Sequence, residues 1–319
     1  MGSRSLNVAI LLFWLSTMTW LMVVKVLPPL RTGDPPNYQS ILASRATVPP
    51  ICWSILVNDR PLGWAASKTQ QRQDGLVYMH SRVFFRELPI EELAPGWFGA
   101  VVRPLLTGRR PLDMEAISRL DIDPLGRLVG FESRVRIAEI KNALTMQGEL
   151  EGSHLKVKVE SGDFIYRTER YLAPDTMIGD ALSPQTRLPG LRLGQKWTMP
   201  VYSPFRPPRS PMEILEAKVE RSEKIAWDNE MVDTLVVFYR ADSGSGPAAS
   251  HETRARLWVR RDGMVLKQEM TLFNSRLYFE RLSDRQSALL AANLAEDWSQ
   301  ELPRYESARM FSRLFNHIR

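Results

Sequence analysis

Metal-binding and disulfide-forming residues are scarce in this chain. Its 319 residues include one cysteine, Cys52, and four histidines. A single thiol cannot close a disulfide within the chain, so the fold has to be stabilised by its core. None of the histidines stands at a metal-ligand spacing from another; they are His80, His154, His251 and His317. We therefore expect neither a metal nor a cofactor, and we expect Cys52, which begins the apolar run CWSILV, to be a small buried residue.

Catalytic motifs are missing as well. No G-x-S-x-G sequence marks a nucleophile elbow. The Gly/Ser-rich stretch 243–247 lacks the Lys-Ser/Thr pair of a phosphate-binding loop. The neighbouring carboxylates Asp121 and Asp123 lie at an expected hairpin bend, where turn formation explains them. The sequence thus predicts a protein without enzymatic activity. A hydrolase remains an alternative, and it would need a nucleophile and a base within about 3 Å of each other in the fold.

Long runs of one charge sign are absent too. The chain has 42 basic and 36 acidic residues, a net charge of +6, and the two signs alternate along most of its length. Proteins that follow a nucleic-acid backbone concentrate Lys and Arg on one face or in one segment. We therefore expect no nucleic-acid partner.

Residues 1–27 are predicted to form a transmembrane signal-anchor. The run from Val8 to Val24 carries no charge, and about 20 residues at a rise of 1.5 Å give about 30 Å, enough to cross a bilayer core. The anchor residues are expected to be Val8, Leu12, Trp14, Trp20, Val24 and Lys25. A cleaved signal peptide is the alternative, although no small-residue cleavage site follows the run.

The rest of the chain is predicted to be a linker, a β domain and C-terminal helices. Residues 28–50 are rich in proline and are expected to be an extended linker. Residues 51–282 read as successive strands. In HLKVKVE, for example, Leu155, Val157 and Val159 alternate with charged residues, as in an antiparallel sheet that packs on one side. Residues 283–319 change to a helical period and are expected to form amphipathic helices.

Three stretches share the pattern of an apolar run, an Asp-containing bend with glycine, and a second apolar run. They are 55–69, 120–135 and 257–273. Asp and Gly at a bend favour tight turns, because glycine adopts positive φ and Asp bonds to its own backbone. The sequence therefore predicts successive hairpins and a mainly β fold: a long curved antiparallel sheet, or half-barrel, with one transmembrane helix before it and helices after it.

Two segments are candidates for partner binding. The Pro-rich stretch 200–211 offers Tyr202, Phe205, Arg206 and Arg209, and the C-terminal helix offers Phe311, Leu314 and Phe315. The stretch 200–211 fits a rigid connection between strands equally well. The C-terminal helix fits a cover over an open end of the sheet, or a helix on an anionic membrane surface.

Three stretches together resemble a β-rich domain of bacterial envelope proteins that is often found beside transglutaminase-like modules. They are 55–85 with its Gly63-Trp64 step, 188–204 where Leu193-Gly194 introduces a strand, and the hairpin 256–270. The resemblance spans about residues 50 to 285 and implies a curved sheet similar to that of periplasmic lipoprotein carriers. It implies no active-site residue, because no transglutaminase core is recognised and Cys52, at the very start of the β domain, cannot stand in for a transglutaminase nucleophile.

Together these observations predict a non-enzymatic binding or assembly module of a bacterial cell-envelope complex. Its expected location is the bacterial inner membrane, crossed once, with the C-terminal domain outside the cytoplasm. The expected partners are the membrane and an envelope protein such as a transporter. An alternative is a carrier or sensor of a lipid or acyl ligand on the concave face of the sheet, which requires a connected apolar cavity.

Overall fold

The fold is built almost entirely of antiparallel strands. The computed structural model describes residues 2–23, 47–57, 60–88, 112–138, 140–173, 176–179, 183–203, 210–241, 253–272 and 275–294. The helices in these residues are α1 (Gly2–Leu21) and α2 (Asp284–Ala291). The strands are β1 (Thr47–Val57), β2 (Arg60–Gln71), β3 (Val77–Leu88), β4 (Leu112–Ile122), β5 (Leu128–Ile137), β6 (Ile140–Glu151), β7 (His154–Ser161), β8 (Phe164–Tyr171), β9 (Met177–Ile178), β10 (Lys196–Tyr202), β11 (Met212–Trp227), β12 (Glu230–Ala241), β13 (Thr253–Arg260), β14 (Val265–Leu272) and β15 (Ser275–Arg281). The prediction of a mainly β fold is confirmed.

All fifteen strands belong to one sheet, in the order β8-β7-β6-β5-β4-β3-β2-β1-β15-β14-β13-β12-β11-β10-β9. Neighbours pair antiparallel except the short β9, which runs parallel to β10. The first and last strands, β1 and β15, pair in the middle of the sheet, with Trp53 opposite Arg281. The N-terminal and C-terminal halves of the domain are thus joined by backbone hydrogen bonds at their ends.

The sheet is strongly curved. Its two edge strands are consecutive in sequence, because β8 ends at Tyr171 and β9 begins at Met177. A chain of this length spans at most about 20 Å, whereas fifteen strands spaced about 4.8 Å apart in a flat sheet would span about 67 Å. The sheet therefore bends back until its edges approach each other. In agreement, the pKa of the Tyr202 hydroxyl at the end of β10, which burial raises to about 12, is also raised by Tyr166 and lowered by Arg170, both on β8.

The inner face of this curved sheet forms the main core. In β7, Leu155, Val157 and Val159 are buried and alternate with charged residues, as predicted. The same alternation brings one face of the other long strands into a single cluster of apolar side chains. Burying apolar surface stabilises a fold by about 25 cal/mol per Å². This cluster is therefore the principal stabilising element of a fold that has no disulfide.

Two of the three predicted Asp-Gly hairpins are confirmed. Gly126 and Gly263 have φ angles of 76° and 84° in the β4–β5 and β13–β14 turns. In each turn the Asp accepts hydrogen bonds from backbone N–H groups that follow it. The side-chain hydrogen bond from the Arg260 guanidinium holds the pKa of Asp262 at about 2, well below its usual range. These bends are determined locally, which explains why the sequence predicts them.

The third predicted hairpin also forms, since β1 and β2 pair antiparallel, but Gly63 lies outside its bend. β2 already begins at Arg60, so Gly63 lies inside a strand and not at the bend. A Cβ atom at Gly63 would lie 1.9 Å from the carbonyl oxygen of Phe84 on β3. The glycine is needed because two backbones approach closely there, which is a property of the assembled sheet and not of the turn.

The predicted linker boundary also shifts. β1 begins at Thr47, four residues before the expected start of the β domain, despite Pro49 and Pro50. The pairing with β2 is irregular between Val48 and Ile51. Proline lacks the N–H group that a regular ladder needs, and an irregularity of this kind accommodates it.

The N-terminal segment forms the predicted helix, α1. Of the residues that the structure describes, no helix is long and apolar enough to cross a membrane, so a transmembrane helix is not supported. The predicted span covered the uncharged run Val8 to Val24, whereas α1 begins at Gly2 and ends at Leu21, and its first turns contain polar residues, including Arg4 and Asn7.

A short helix, α2, begins just after Ser283. Ser283 caps the helix in a capping box with Gln286, in which each side chain bonds to the other's backbone N–H. The helix covers the outer face of the sheet, where Leu290 and Leu294 join Trp64 and Phe84 in a second apolar cluster. The remaining predicted C-terminal helix lies outside the described residues.

Candidate functional site

The interior of the curved sheet is filled by side chains. Trp53, Ile55, Phe85, Leu144 and Phe279 are each at most 1% exposed. A side chain that lined a water-sized cavity would be partly accessible to water. The near-zero exposure of these five side chains therefore means that no such cavity lies beside them. A carrier that holds a lipid on the concave face would need such a space, and the packing at these positions disfavours that alternative.

A segment that follows β9 adds to this filling. Residues 183–189 cross the inner face: the hydroxyl of Ser183 lies 2.5 Å from that of Ser81 on β3. Two residues later, the backbone N–H of Gln185 donates to the side chain of Gln268 on β14 at 2.9 Å. Leu188 is fully buried in the main core. Before this segment, Met177–Ile178 pair with β10 as strand β9.

Polar side chains on the inner face bond to one another. Ser118 donates to Ser133 at 3.0 Å across β4 and β5. Arg281 donates to the carbonyl of Thr186 at 3.4 Å, and its guanidinium lies 5.9 Å from the ring centre of Trp53. Burial lowers the pKa of Arg281 to about 10. Arg281 therefore holds the crossing segment against the sheet. Among the described residues no group of His, Cys, Asp and Glu side chains is suited to a metal ion.

Cys52 is buried on the outer face beneath α2, as the sequence predicted. Its thiol lies 3.7 Å from the carbonyl oxygen of Ser287, and the hydroxyl of Ser287 accepts from the Cys52 backbone N–H at 3.3 Å. Burial raises the pKa of the thiol to about 12, against smaller lowering effects of the Ser287 hydrogen bond and the Arg281 charge.

We expect Cys52 to resist thiol reagents while the protein is folded. The thiolate is the reactive form, and a pKa near 12 together with full burial leaves almost none of it accessible at pH 8. In the time that the urea-unfolded chain needs to react completely, labelling of the folded protein should therefore be negligible. Labelling with a chromogenic disulfide, with and without urea, measures this. Stoichiometric reaction of the folded protein would show that α2 detaches readily from the sheet.

The predicted binding residues are only partly within the described residues. Val8, Leu12, Trp14 and Trp20 lie on α1 with exposed side chains. Tyr202 is buried, 3% exposed, at the end of β10, so its side chain is not presented at the surface. The other predicted anchor and partner-binding residues lie outside the described residues; they are Val24, Lys25, Phe205, Arg206, Arg209, Phe311, Leu314 and Phe315.

Exposed apolar side chains in the described residues concentrate at two places. One is the N-terminal helix, where they run from Leu6 to Val23. The other is β8: three of the nine large apolar side chains exposed elsewhere, Phe164, Ile165 and Tyr171, belong to this strand. They are 46%, 51% and 63% exposed. These three side chains do not form one continuous patch, because Phe164 and Ile165 point to opposite faces and Tyr171 lies about 20 Å further along the strand. β8 is the candidate functional site because its exposed apolar residues lie on a strand whose outer side has no partner among the described strands.

β8 is an edge strand that has β7 as its only partner among the described strands. Ser161 and Phe164 close the two-residue β7–β8 turn. They therefore form a hydrogen-bonded pair, and such pairs alternate along an antiparallel ladder. The backbone groups of residues 164, 166, 168 and 170 bond to β7. Those of residues 165, 167, 169 and 171 point to the open edge, where they can receive another strand.

The charges of β8 are incompletely balanced by β7. Glu169 lies opposite Lys156, which is favourable, but Arg167 lies opposite Lys158. The Glu160 carboxylate lies 2.7 Å from the Lys158 ammonium group and is therefore already paired with a charge on β7. Like charges directly opposite on neighbouring strands are destabilising. The open edge thus presents an arginine for which a carboxylate from an added strand would be favourable.

In the sequence, β8 reads as one of the successive strands of residues 51–282, and this site is not predicted. A signal was nevertheless present. In β7 the alternation of Leu155, Val157 and Val159 gives one apolar face, whereas FIYRTERY places apolar and charged residues on both faces of β8. A strand without a dry face is typical of a position at the end of a sheet.

Comparisons with known proteins identify no family. No family model matches the chain, and no curated protein matches its sequence. Among solved structures, it is similar to a beta-barrel-like protein of the domain of unknown function DUF1849 from Brucella abortus, with a TM-score of 0.46 and 10% identity over 75% of this chain and 97% of that one. A DUF1089 family protein from Pseudomonas aeruginosa gives a TM-score of 0.33 and 15% identity over 63% of this chain and 87% of that one.

Proposed function

We propose that this chain is a non-catalytic binding module that receives a strand of a partner at the open edge of β8. The observation that carries the proposal is the exposure of Phe164, Ile165 and Tyr171 along a strand whose alternate backbone groups face outward. Added strands gain affinity from main-chain hydrogen bonds and specificity from the side chains beside them. The packed inner face supports a surface site over an internal one.

The place of this module in a bacterial cell-envelope complex comes from the sequence resemblance. Under this proposal the partner is an envelope protein, for which a transporter was the expected example, and the β domain lies outside the cytoplasm. The apolar side chains that α1 exposes support contact with a membrane or another apolar surface. A lipid ligand on the concave face is the less favoured alternative.

A photo-cross-linking amino acid at position 171 tests the docking site in cells. Tyr171 on β8 is 63% exposed and Met231 on β12 is 64% exposed, so position 231 is a matched control. We expect covalent adducts from position 171 and few or none from position 231, read by mass spectrometry of the purified adducts. Equal yields from the two positions, or none from position 171, would contradict the proposal.

An edge-blocking variant sharpens this test. Arg167→Pro removes one N–H group from the open edge and leaves the bonds to β7 in place, because residue 167 points away from β7. Proline is tolerated on edge strands for this reason. Adduct formation from position 171 should fall at least tenfold in this variant, while its circular dichroism spectrum is unchanged.

A further inference from the structure

We infer that a second copy of this chain can occupy the open edge, with the two β8 strands paired antiparallel about a two-fold axis at Thr168. This inference rests on the docking function proposed for β8. An isologous contact of this kind requires a surface that is complementary to itself. The sequence of β8, FIYRTERY, meets this requirement in one register.

The alternation of backbone groups limits the possible registers. Only residues 165, 167, 169 and 171 face the open edge, so an incoming β8 must pair odd-numbered residues with odd-numbered residues. When Thr168 lies on the axis, Arg167 faces Glu169 of the second copy, and Ile165 faces Tyr171 of the second copy. Opposite charges and aliphatic–aromatic neighbours are both favourable cross-strand pairs. By symmetry each of these pairs occurs twice.

The adjacent registers are unfavourable. With the axis at residue 167, Arg167 faces Arg167 of the second copy. With the axis at residue 169, Glu169 faces Glu169 of the second copy. Like charges directly opposite destabilise a strand pair, so the register centred on Thr168 is selected over both of its neighbours.

The same register corrects the charge imbalance within one copy. Arg167 lies opposite Lys158 of its own β7, and Glu169 of the second copy would lie on its other side. The outward side chains Ile165 and Tyr171, which are 51% and 63% exposed in one copy, would cover each other across the new strand pair. A contact made by one strand pair buries little surface, so we expect the dimer to form reversibly and its fraction to rise with protein concentration.

The substitution Thr168→Cys tests the register. In the proposed pairing the two residues at 168 form a non-hydrogen-bonded pair with Cα atoms about 4.5 Å apart, within the range of about 4.4–6.8 Å that a disulfide requires. Mild oxidation of the full chain in detergent should give a disulfide-linked dimer on a non-reducing gel. The matched control is Thr198→Cys, whose side chain is exposed on β10, the strand next to the opposite edge of the sheet. This variant should remain monomeric, as should the native chain with its buried Cys52. Absence of a dimer for Thr168→Cys would overturn the inference.

A charge exchange tests the recognition itself. In the Thr168→Cys background, Arg167→Glu or Glu169→Arg alone should slow disulfide formation at least tenfold, because each places like charges opposite each other. The double exchange Arg167→Glu with Glu169→Arg restores opposite pairs and should restore the rate. A double variant as slow as the single ones would overturn the inference, provided that its circular dichroism spectrum and unfolding curve match those of the parent.

The adducts from position 171 separate this inference from the docking function beneath it. Adducts of the chain with itself support both. Adducts with a different protein alone support docking at β8 and overturn self-pairing. If position 171 gives no adducts, both fail.

Discussion

Replacing Glu115 by alanine is expected to lower the free energy of unfolding by about 3–5 kcal/mol, the usual cost of removing one member of a buried ion pair. Glu115 accepts a hydrogen bond from Arg82 Nε at 2.8 Å and lies 2.6 Å from a guanidinium nitrogen of Arg136. The side chain of Arg82 is fully buried, and both of its terminal nitrogens lack a hydrogen-bond partner. Without Glu115, an arginine charge would stay in the protein interior with no carboxylate beside it.

Urea unfolding followed by tryptophan fluorescence measures this effect. The matched control is the triple variant Arg82→Met, Glu115→Leu and Arg136→Met, which removes all three charges of the cluster and keeps comparable volume. Because apolar replacement of a whole buried ion cluster is often neutral or stabilising, we expect the triple variant to regain most of the lost stability. A loss below about 1 kcal/mol for Glu115→Ala, typical of a surface ion pair, would show that water reaches the guanidinium of Arg82.

Replacing Gly63 by alanine should destabilise the protein by about 3 kcal/mol or more, at the upper end of overpacking substitutions. The new Cβ would lie 1.9 Å from the Phe84 carbonyl oxygen and 2.9 Å from its carbon. Both are backbone atoms of a neighbouring strand, so no side-chain rotation can relieve the contact. β2 and β3 would have to move apart, which would also disrupt the packing of Trp64 and Phe84 beneath α2.

The comparison substitution is Gly152→Ala, in the β6–β7 turn. A Cβ atom there meets nothing within 4 Å, although φ is +62°. Its cost should therefore be the backbone penalty alone, about 1–2 kcal/mol. Equal losses for the two variants in urea unfolding would mean that the close approach of β2 and β3 is not what requires Gly63.

The docking site could have been predicted only in part. The composition of β8 departs from that of its neighbours, and the sequence contains that information. The sequence does not show which strands lie at the edges of the sheet, because this follows from the pairing of β1 with β15, in which Trp53 lies opposite Arg281. No signal within either strand specifies that pairing. The burial of Tyr202 likewise depends on how far the sheet curves, and local sequence does not set the curvature.

The sequence by itself determined the features that depend on neighbouring residues: the strand alternation of β7, the turns at Gly126 and Gly263, and the capped start of α2. Each arises from backbone preferences or side-chain hydrogen bonds within a few residues. Only the tertiary structure decided the strand order, the ion pair of Arg82 with Glu115, the need for Gly63, and the open edge at β8. These depend on contacts between residues far apart in the chain, whose energies exist only once the curved sheet has formed.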